Sequence, residues 1–393
     1  MAMARSLLLA LFLLLISFGG KALATIPVLQ NALPAQVRPV SALAGNSGQH
    51  VHALNLRVET PDGPLELLLT PASRMQAQAA TMVAGIRDGH TRLYRGSVAG
   101  QAGSWVRMAY IDGAWLGAIR VADKLWLMDP ARQHPQLASR LGLGRQDSLV
   151  FTLDDIHGLG PMDLGGVAPP PGALPAPMAV TGATADAQAG TTRYLGVTLV
   201  LDTEFQNHYG ATAKDIAVAM LNIVDGFYSS QVDTEVYLYA LQSLASNGTL
   251  TDTDSGKLLD AFRTWLTGSP VPFSGLAHLL SGKDFEGSIV GRAWVGSLCS
   301  PTYGSGVDQL TFSTAGGAAI LAHEMGHNYG ADHDSDGNSC PASGYIMNAS
   351  TNITHPPTQF STCSLDYFAD YLSTHSATCL AAPPNAIFND GFD

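Results

Sequence analysis

The chain has 393 residues, 46% hydrophobic and 13% charged, with 41 glycines and 22 prolines. That length has room for two domains with a core each, and that composition excludes a wholly disordered chain. The formal net charge is −12 and no run of Lys and Arg forms a basic stripe, so nucleic acid and anionic lipid surfaces are poor candidate partners.

At the start, Arg5 precedes an apolar run from Ser6 to Phe18, followed by Ala22-Leu23-Ala24, a small-x-small triplet of the kind signal peptidase reads. Residues 1–24 are therefore expected to be an export signal. The run is too short to stay in a bilayer, and no later stretch of about 20 apolar residues could anchor the product. A soluble protein, secreted or exported to a periplasm and monomeric, is expected.

From Val51 to Pro130 short runs alternate apolar and polar residues, as in Leu54-Asn55-Leu56-Arg57-Val58 and Trp105-Val106-Arg107-Met108, with Asp-Gly at 62–63 and 112–113. This pattern predicts a small β-rich domain with hairpins, within 25–157. Residues 158–190 turn to proline, alanine and glycine, including Pro169-Pro170-Pro171, and read as an exposed linker open to proteolysis. A different organisation begins at Arg193. Val197 to Leu201 has strand length, Ala213 to Tyr228 has apolar residues at helical spacing, and Val236 to Leu241 is again strand-like. Asp254 to Leu266 predicts a second helix, Ile289 to Val295 another strand, and Thr314 to Tyr329 a long, largely apolar helix. Strands alternating with helices predict an α/β sheet packed against helices, over 191–382. Residues 383–393 form a tail.

The last of those helices carries the chemistry, in His323-Glu324-Met325-Gly326-His327-Asn328-Tyr329-Gly330-Ala331-Asp332-His333-Asp334. His323 and His327 are four apart, so on a helix their rings share one face and can bind one metal. Glu324 lies between them, placed to take a proton from metal-activated water and pass it to a leaving amine. Gly330 lets the helix stop in a left-handed conformation and the chain swing back, bringing His333 in as a third ligand. Three neutral ligands and one water are what a catalytic zinc needs. H-E-x-x-H alone arises by chance in roughly one chain in a hundred of this length, whereas adding Gly330 and His333 lowers that to about one in a hundred thousand.

All four cysteines, Cys299, Cys340, Cys363 and Cys379, lie in the last third without a C-x-x-C pair. In an exported protein this predicts two disulfides, and spacing leaves three pairings open.

The longer histidine pattern resembles the signature of the metzincin metallopeptidases, which carry a methionine turn below the ligands. Met347 in Gly344-Tyr345-Ile346-Met347-Asn348 fits that turn. Asp334, the residue after the third histidine, is the type found in the adamalysin or reprolysin (ADAM-like) group. Tyr194 to Asp202, Leu279 to Phe285, Gly291 to Ser300 and Phe360 to Ser364 also resemble that group's segments, so the likeness covers about Thr191 to Leu380. It implies a mixed twisted sheet with an active-site helix, preceded by a propeptide. By resemblance, His323, His327 and His333 bind one zinc, Glu324 is the general base, and Gly291, Ala293, Trp294, Val295 and Gly296 pair with an extended substrate peptide. It also implies Cys299 with Cys379 and Cys340 with Cys363. The expected activity is endopeptidase cleavage of proteins or peptides; the alternative from another class is a catalytically silent binding protein, against which the intact Glu324 argues.

Departures from the group matter too. Where relatives hold calcium with acidic and amide side chains, Gly196, Gly275 and Ala382 stand here, so no calcium is expected at that site. No tyrosine stands two residues after Met347, which leaves oxyanion stabilisation mainly to zinc. No disintegrin or cysteine-rich segment is expected after Cys379. Residues 25–190 contain no cysteine, so a propeptide there cannot act by a thiolate on zinc, and a carboxylate or steric blockade must serve. Either it is removed at the linker, or it stays attached as a permanent β-domain. His208, His278, His355 and His375 have no partner at metal spacing and read as packed or surface histidines.

Overall fold

The computed structural model describes residues 28–29, 32–39, 54–157, 162–174, 192–310, 313–351, 357–375 and 378–380. The expected export signal, the tail, Ala382 and His355 lie outside the described residues.

The N-terminal part is a nine-stranded antiparallel sheet whose long strands run from Leu54–Thr60 to Ser148–Phe151. Its alternating sequence has the pattern of a sheet with two different faces. The Asp-Gly at 112–113 joins Trp105–Ile111 to Ala114–Val121, with φ of 48° at Asp112 and 88° at Gly113. Two successive positive φ values give the tight turn that matches strand twist, and Asp-Gly tolerates them.

The C-terminal part is a mixed seven-stranded sheet. In spatial order its strands are Thr234–Ser243, Arg193–Leu201, Leu276–Ser281, Ser305–Gln309, Ile289–Trp294, Met162–Val167 and Ser350–Thr351. The first four are parallel, and Ile289–Trp294 runs antiparallel to Ser305–Gln309. Helix Ser255–Gly268 covers one face, seating Leu258, Leu259 and Phe262 on Val200, Ala277, Leu279 and Val307.

The other face carries helices Ala213–Gln231 and Thr314–Asn328, which also touch the N-terminal sheet. Every residue from Asp215 to Tyr228 is buried. A helix buried on all sides needs partners on more than one face. Trp105 of the N-terminal sheet meets Phe227 edge-on at 5.0 Å between ring centres. Asn222 Nδ2 donates to the carbonyls of Tyr94 (3.2 Å) and Met108 (3.3 Å) across the same boundary. One hydrophobic cluster therefore runs through both parts, from Leu116 and Leu127 to Val224 and Met325.

The segment read from composition as linker differs from that reading. Met162–Val167 is a strand of the C-terminal sheet, although it lies within the Pro/Ala/Gly-rich stretch. Glycine weakens a strand by entropy, but pairing uses only the backbone, and here a narrow cleft selects for residues without side chains.

Candidate active site

Ser313 caps the active-site helix, its Oγ accepting the Gly316 N–H at 2.8 Å. At the other end Gly330 adopts a φ of +91°. The helix stops there, and Ala331 N–H donates back to the Gly326 carbonyl at 3.2 Å. The return places His333 beside the two helical histidines. Nε2 of His323 lies 3.1 Å from Nε2 of His327, which lies 3.1 Å from Nε2 of His333.

The other ring nitrogens decide what those atoms can do. Nδ1 of His323 donates to the Ile346 carbonyl, and Nδ1 of His327 donates to the Ala331 carbonyl at 2.8 Å. A carbonyl only accepts, so both protons sit on Nδ1 and both Nε2 atoms present lone pairs. Burial, then the neighbouring imidazoles, holds His323 well below its usual pKa, and burial with His333 brings His327 down to about 3. Neutral, converging nitrogens repel one another unless a cation lies among them. Orientation of ligand rings by outer hydrogen bonds is the arrangement a zinc site needs, so the three residues fit the metal.

Met347 is fully buried, and its sulfur sits where a Cβ on Gly326 would come within 2.4 Å. Its backbone carbonyl accepts the Asp334 N–H at 2.8 Å, joining the methionine turn to the residue after the third histidine. Asp334 Oδ1 in turn accepts from Ser361 Oγ (2.9 Å) and Ser364 Oγ (3.1 Å). Disulfides join Cys340 to Cys363 and Cys299 to Cys379, the pairing implied by resemblance among the three that spacing allowed.

Residues 193–384 match the family model described as Reprolysin (M12B) family zinc metalloprotease. This part of the chain is a reprolysin domain. The reprolysin match begins after Val167, so strand Met162–Val167 lies outside it.

Within the reprolysin domain, Glu324 is wholly buried, with neither oxygen in a well-formed hydrogen bond. Burial above all, then the Asp308 carboxylate, pushes its pKa well up, against Arg292 and the Gly165 amide, which pull it down. A Cβ on Gly291 would lie 2.3 Å from Glu324 Oε1, so only glycine leaves room for the carboxylate. Gly291, Ala293 and Trp294 belong to strand Ile289–Trp294, which is paired on both sides, and Val295 N–H donates to Val167 O at 2.9 Å. Gly296 is differently engaged, its N–H donating to the His327 carbonyl at 2.8 Å. Gly196 and Gly275 are neighbours, Gly275 N–H donating to Gly196 O at 3.0 Å.

Sequence reasoning missed the carbonyls of Ile346 and Ala331 and the charges of Asp308 and Arg292; His278, read as a packed or surface histidine, is buried, and its partners were not foreseen. Nε2 of His278 donates to Asn328 Oδ1 at 3.1 Å and its Nδ1 pairs with Asp308 Oδ2 at 2.8 Å, so it ties the sheet to the residue after His327. An aspartate within a buried strand run, as in Ser305–Gln309, is the one signal that marked this network in advance. Among the described residues no helix is long and apolar enough to cross a membrane.

Proposed function

We propose that the chain is a secreted zinc-dependent endopeptidase acting on protein or peptide substrates, with His323, His327 and His333 as ligands and Glu324 as general base. The observation that carries this reading is the convergence of the histidine Nε2 atoms at 3.1 Å, two of them held deprotonated by backbone carbonyls. Zinc bound there supplies Lewis acidity toward a carbonyl oxygen and lowers the pKa of a water. Glu324 takes the proton of the attacking water and delivers it to the leaving amine. Its burial raises its proton affinity, which suits a group that must hold a proton between the two events. Strand Ile289–Trp294, whose outer side Met162–Val167 takes in the intact chain, pairs with an extended peptide once that segment is displaced and holds the scissile bond beside these residues. Residues 1–24 act as export signal and 25–157 as a β-rich pro-part, and no calcium binds beside Gly196 and Gly275, which lack side-chain oxygens.

The test is cleavage of denatured casein by the secreted protein, in intact and linker-cut forms, comparing the parent, Glu324→Ala, and the parent with a zinc chelator. Activity in a parent form that both treatments abolish is the expected result. A zinc-loaded protein inactive in both forms sinks this reading.

A further inference from the structure

Asn328, the residue after His327, has its side-chain orientation fixed by its neighbours. Its Nδ2 reaches the carbonyls of Trp294 at 2.9 Å and Ser305 at 3.2 Å, and Ser297 Oγ at 3.1 Å. Carbonyls only accept, and the Ser297 hydroxyl proton is spent on Trp294 O at 2.7 Å, so all three contacts require the amide nitrogen. Asn328 Oδ1 therefore faces Nε2 of His278 at 3.1 Å, and that ring nitrogen must carry a proton.

The other ring nitrogen then decides the charge. Nδ1 lies 2.8 Å from Asp308 Oδ2, with His278 fully buried and Asp308 2% exposed. A neutral ring protonated at Nε2 would set an Nδ1 lone pair against a carboxylate oxygen, two acceptors with no hydrogen between them. One further proton is needed there, and an imidazole is ordinarily a stronger base than a carboxylate. Asp308 Oδ1 makes no hydrogen bond among the described residues, so the ring supplies this carboxylate's compensation. The strand beside it is cut to fit: His278 lies opposite Gly306, where a Cβ would come 2.5 Å from the ring Cε1 and 2.8 Å from Nδ1.

The pair stands directly behind the chemistry. Asp308 is opposite Gly291 in the antiparallel ladder, and Gly291 is the residue whose Cβ would press on Glu324 Oε1. Asn328 O also accepts the Ser297 and Leu298 N–H groups at 2.9 and 3.0 Å, so this one residue joins the end of the ligand helix to the segment after Ile289–Trp294.

We propose that His278 is a buried imidazolium and a positioning residue: its charge cancels that of Asp308 beside Glu324, and its Nε2–H fixes Asn328 at the end of the ligand helix. Its service to catalysis rests on the endopeptidase reading, whereas its charge does not. Two readouts therefore separate the claims, one on the ring and one on turnover.

NMR of the His278 ring nitrogens is read at pH 7 in the zinc-loaded full chain, for the parent and for Asp308→Asn. Protons on both nitrogens are expected in the parent. In Asp308→Asn the amide can donate to a neutral ring, so Nδ1 should lose its proton while Nε2 keeps it. His278→Gln leaves Asp308 buried without a counter-charge, and should melt about 5 °C or more below the parent. On the linker-cut form its kcat should fall by about tenfold or more with KM changed less than about twofold. Adding Asp308→Asn to His278→Gln removes the stranded charge, and should restore melting and kcat to about the values of Asp308→Asn alone. If His278→Gln by itself does not fold, folding of the double variant is the rescue. A protonated Nδ1 and a rescued melting temperature with no cleavage in any form refute the endopeptidase reading and leave the charged pair standing. An unprotonated Nδ1 in the parent, a double variant no better than His278→Gln, or parental kcat in a cleaving His278→Gln form overturns the proposal.

Discussion

Arg107 of the N-terminal sheet donates from Nε to Oδ2 of Asp225 on the central helix at 2.8 Å, with the two side chains 4% and 8% exposed. Arg107 Nη2 also donates to Ser229 Oγ at 2.7 Å, and Asp225 Oδ1 accepts the Val236 N–H at 2.9 Å. The carboxylate therefore links the N-terminal sheet, the helix and the first strand of the C-terminal sheet. Removing it leaves a buried guanidinium without its partner, which costs about 3–5 kcal/mol. Asp225→Ala should lower the unfolding free energy of the intact chain by that amount, read as a lower urea midpoint, with both parts unfolding together. Two separate transitions in the parent, only one of them moved by the substitution, would contradict a shared core.

A second contact across the same boundary has a pH signature. Asp215 is 6% exposed, and a Cβ on Gly85 would come within 2.2 Å of its Oδ1. Burial above all raises its pKa, and Asp112 adds to this against a hydrogen bond from Thr91. Because the folded value lies above the unfolded one, its contribution is fully present below about pH 4 and is lost as pH rises through the folded value. Asp215→Asn keeps the shape without the charge, so at pH 7 it should melt about 2–4 °C above the parent. At pH 4 the difference should vanish, and calorimetry at the two pH values checks it.

Gly291 and Glu324 meet at a distance that admits no methyl group. Gly291→Ala must push the carboxylate away from its position or bend strand Ile289–Trp294. In the proposed role of general base, Glu324 acts in the transition state and not in substrate binding, so kcat should fall by about tenfold or more with KM changed less than about twofold. Kinetics on the linker-cut form give the answer; a change confined to KM would assign Gly291 to substrate pairing alone.

Cys340 and Cys363 enclose the methionine turn, at a sequence separation of 23. Closing a loop of that length stabilises by about 3 kcal/mol. The turn also supplies the Ile346 carbonyl that orients His323. The double variant Cys340→Ser, Cys363→Ser should therefore lose zinc affinity as well as stability, by about 10-fold or more where an orienting hydrogen bond is loosened. Zinc titration against a competing chelator separates the two effects.

The clustering of the three histidines was legible because its determinants are local. Helical spacing brings His323 to His327, and Gly330 alone permits the return to His333. The helix over 213–228 and the strand over 197–201 were legible for the same reason, although both extend further in the fold. Pattern could not tell which sheets a helix buried all round would meet, because Trp105 and Leu238 present the same apolar surface to it. Nor could it place Asp308, Arg292 or the Ile346 carbonyl around residues far away in sequence. The sharpest divergence is at Leu164-Gly165-Gly166-Val167. By itself the sequence determined that this stretch had no periodic pattern, which reads as linker. Only the tertiary structure decided that it is a strand, because its hydrogen bonds are made to Ile289–Trp294 and Ser350–Thr351, segments more than 100 residues away, and backbone pairing across that separation leaves no trace in local composition.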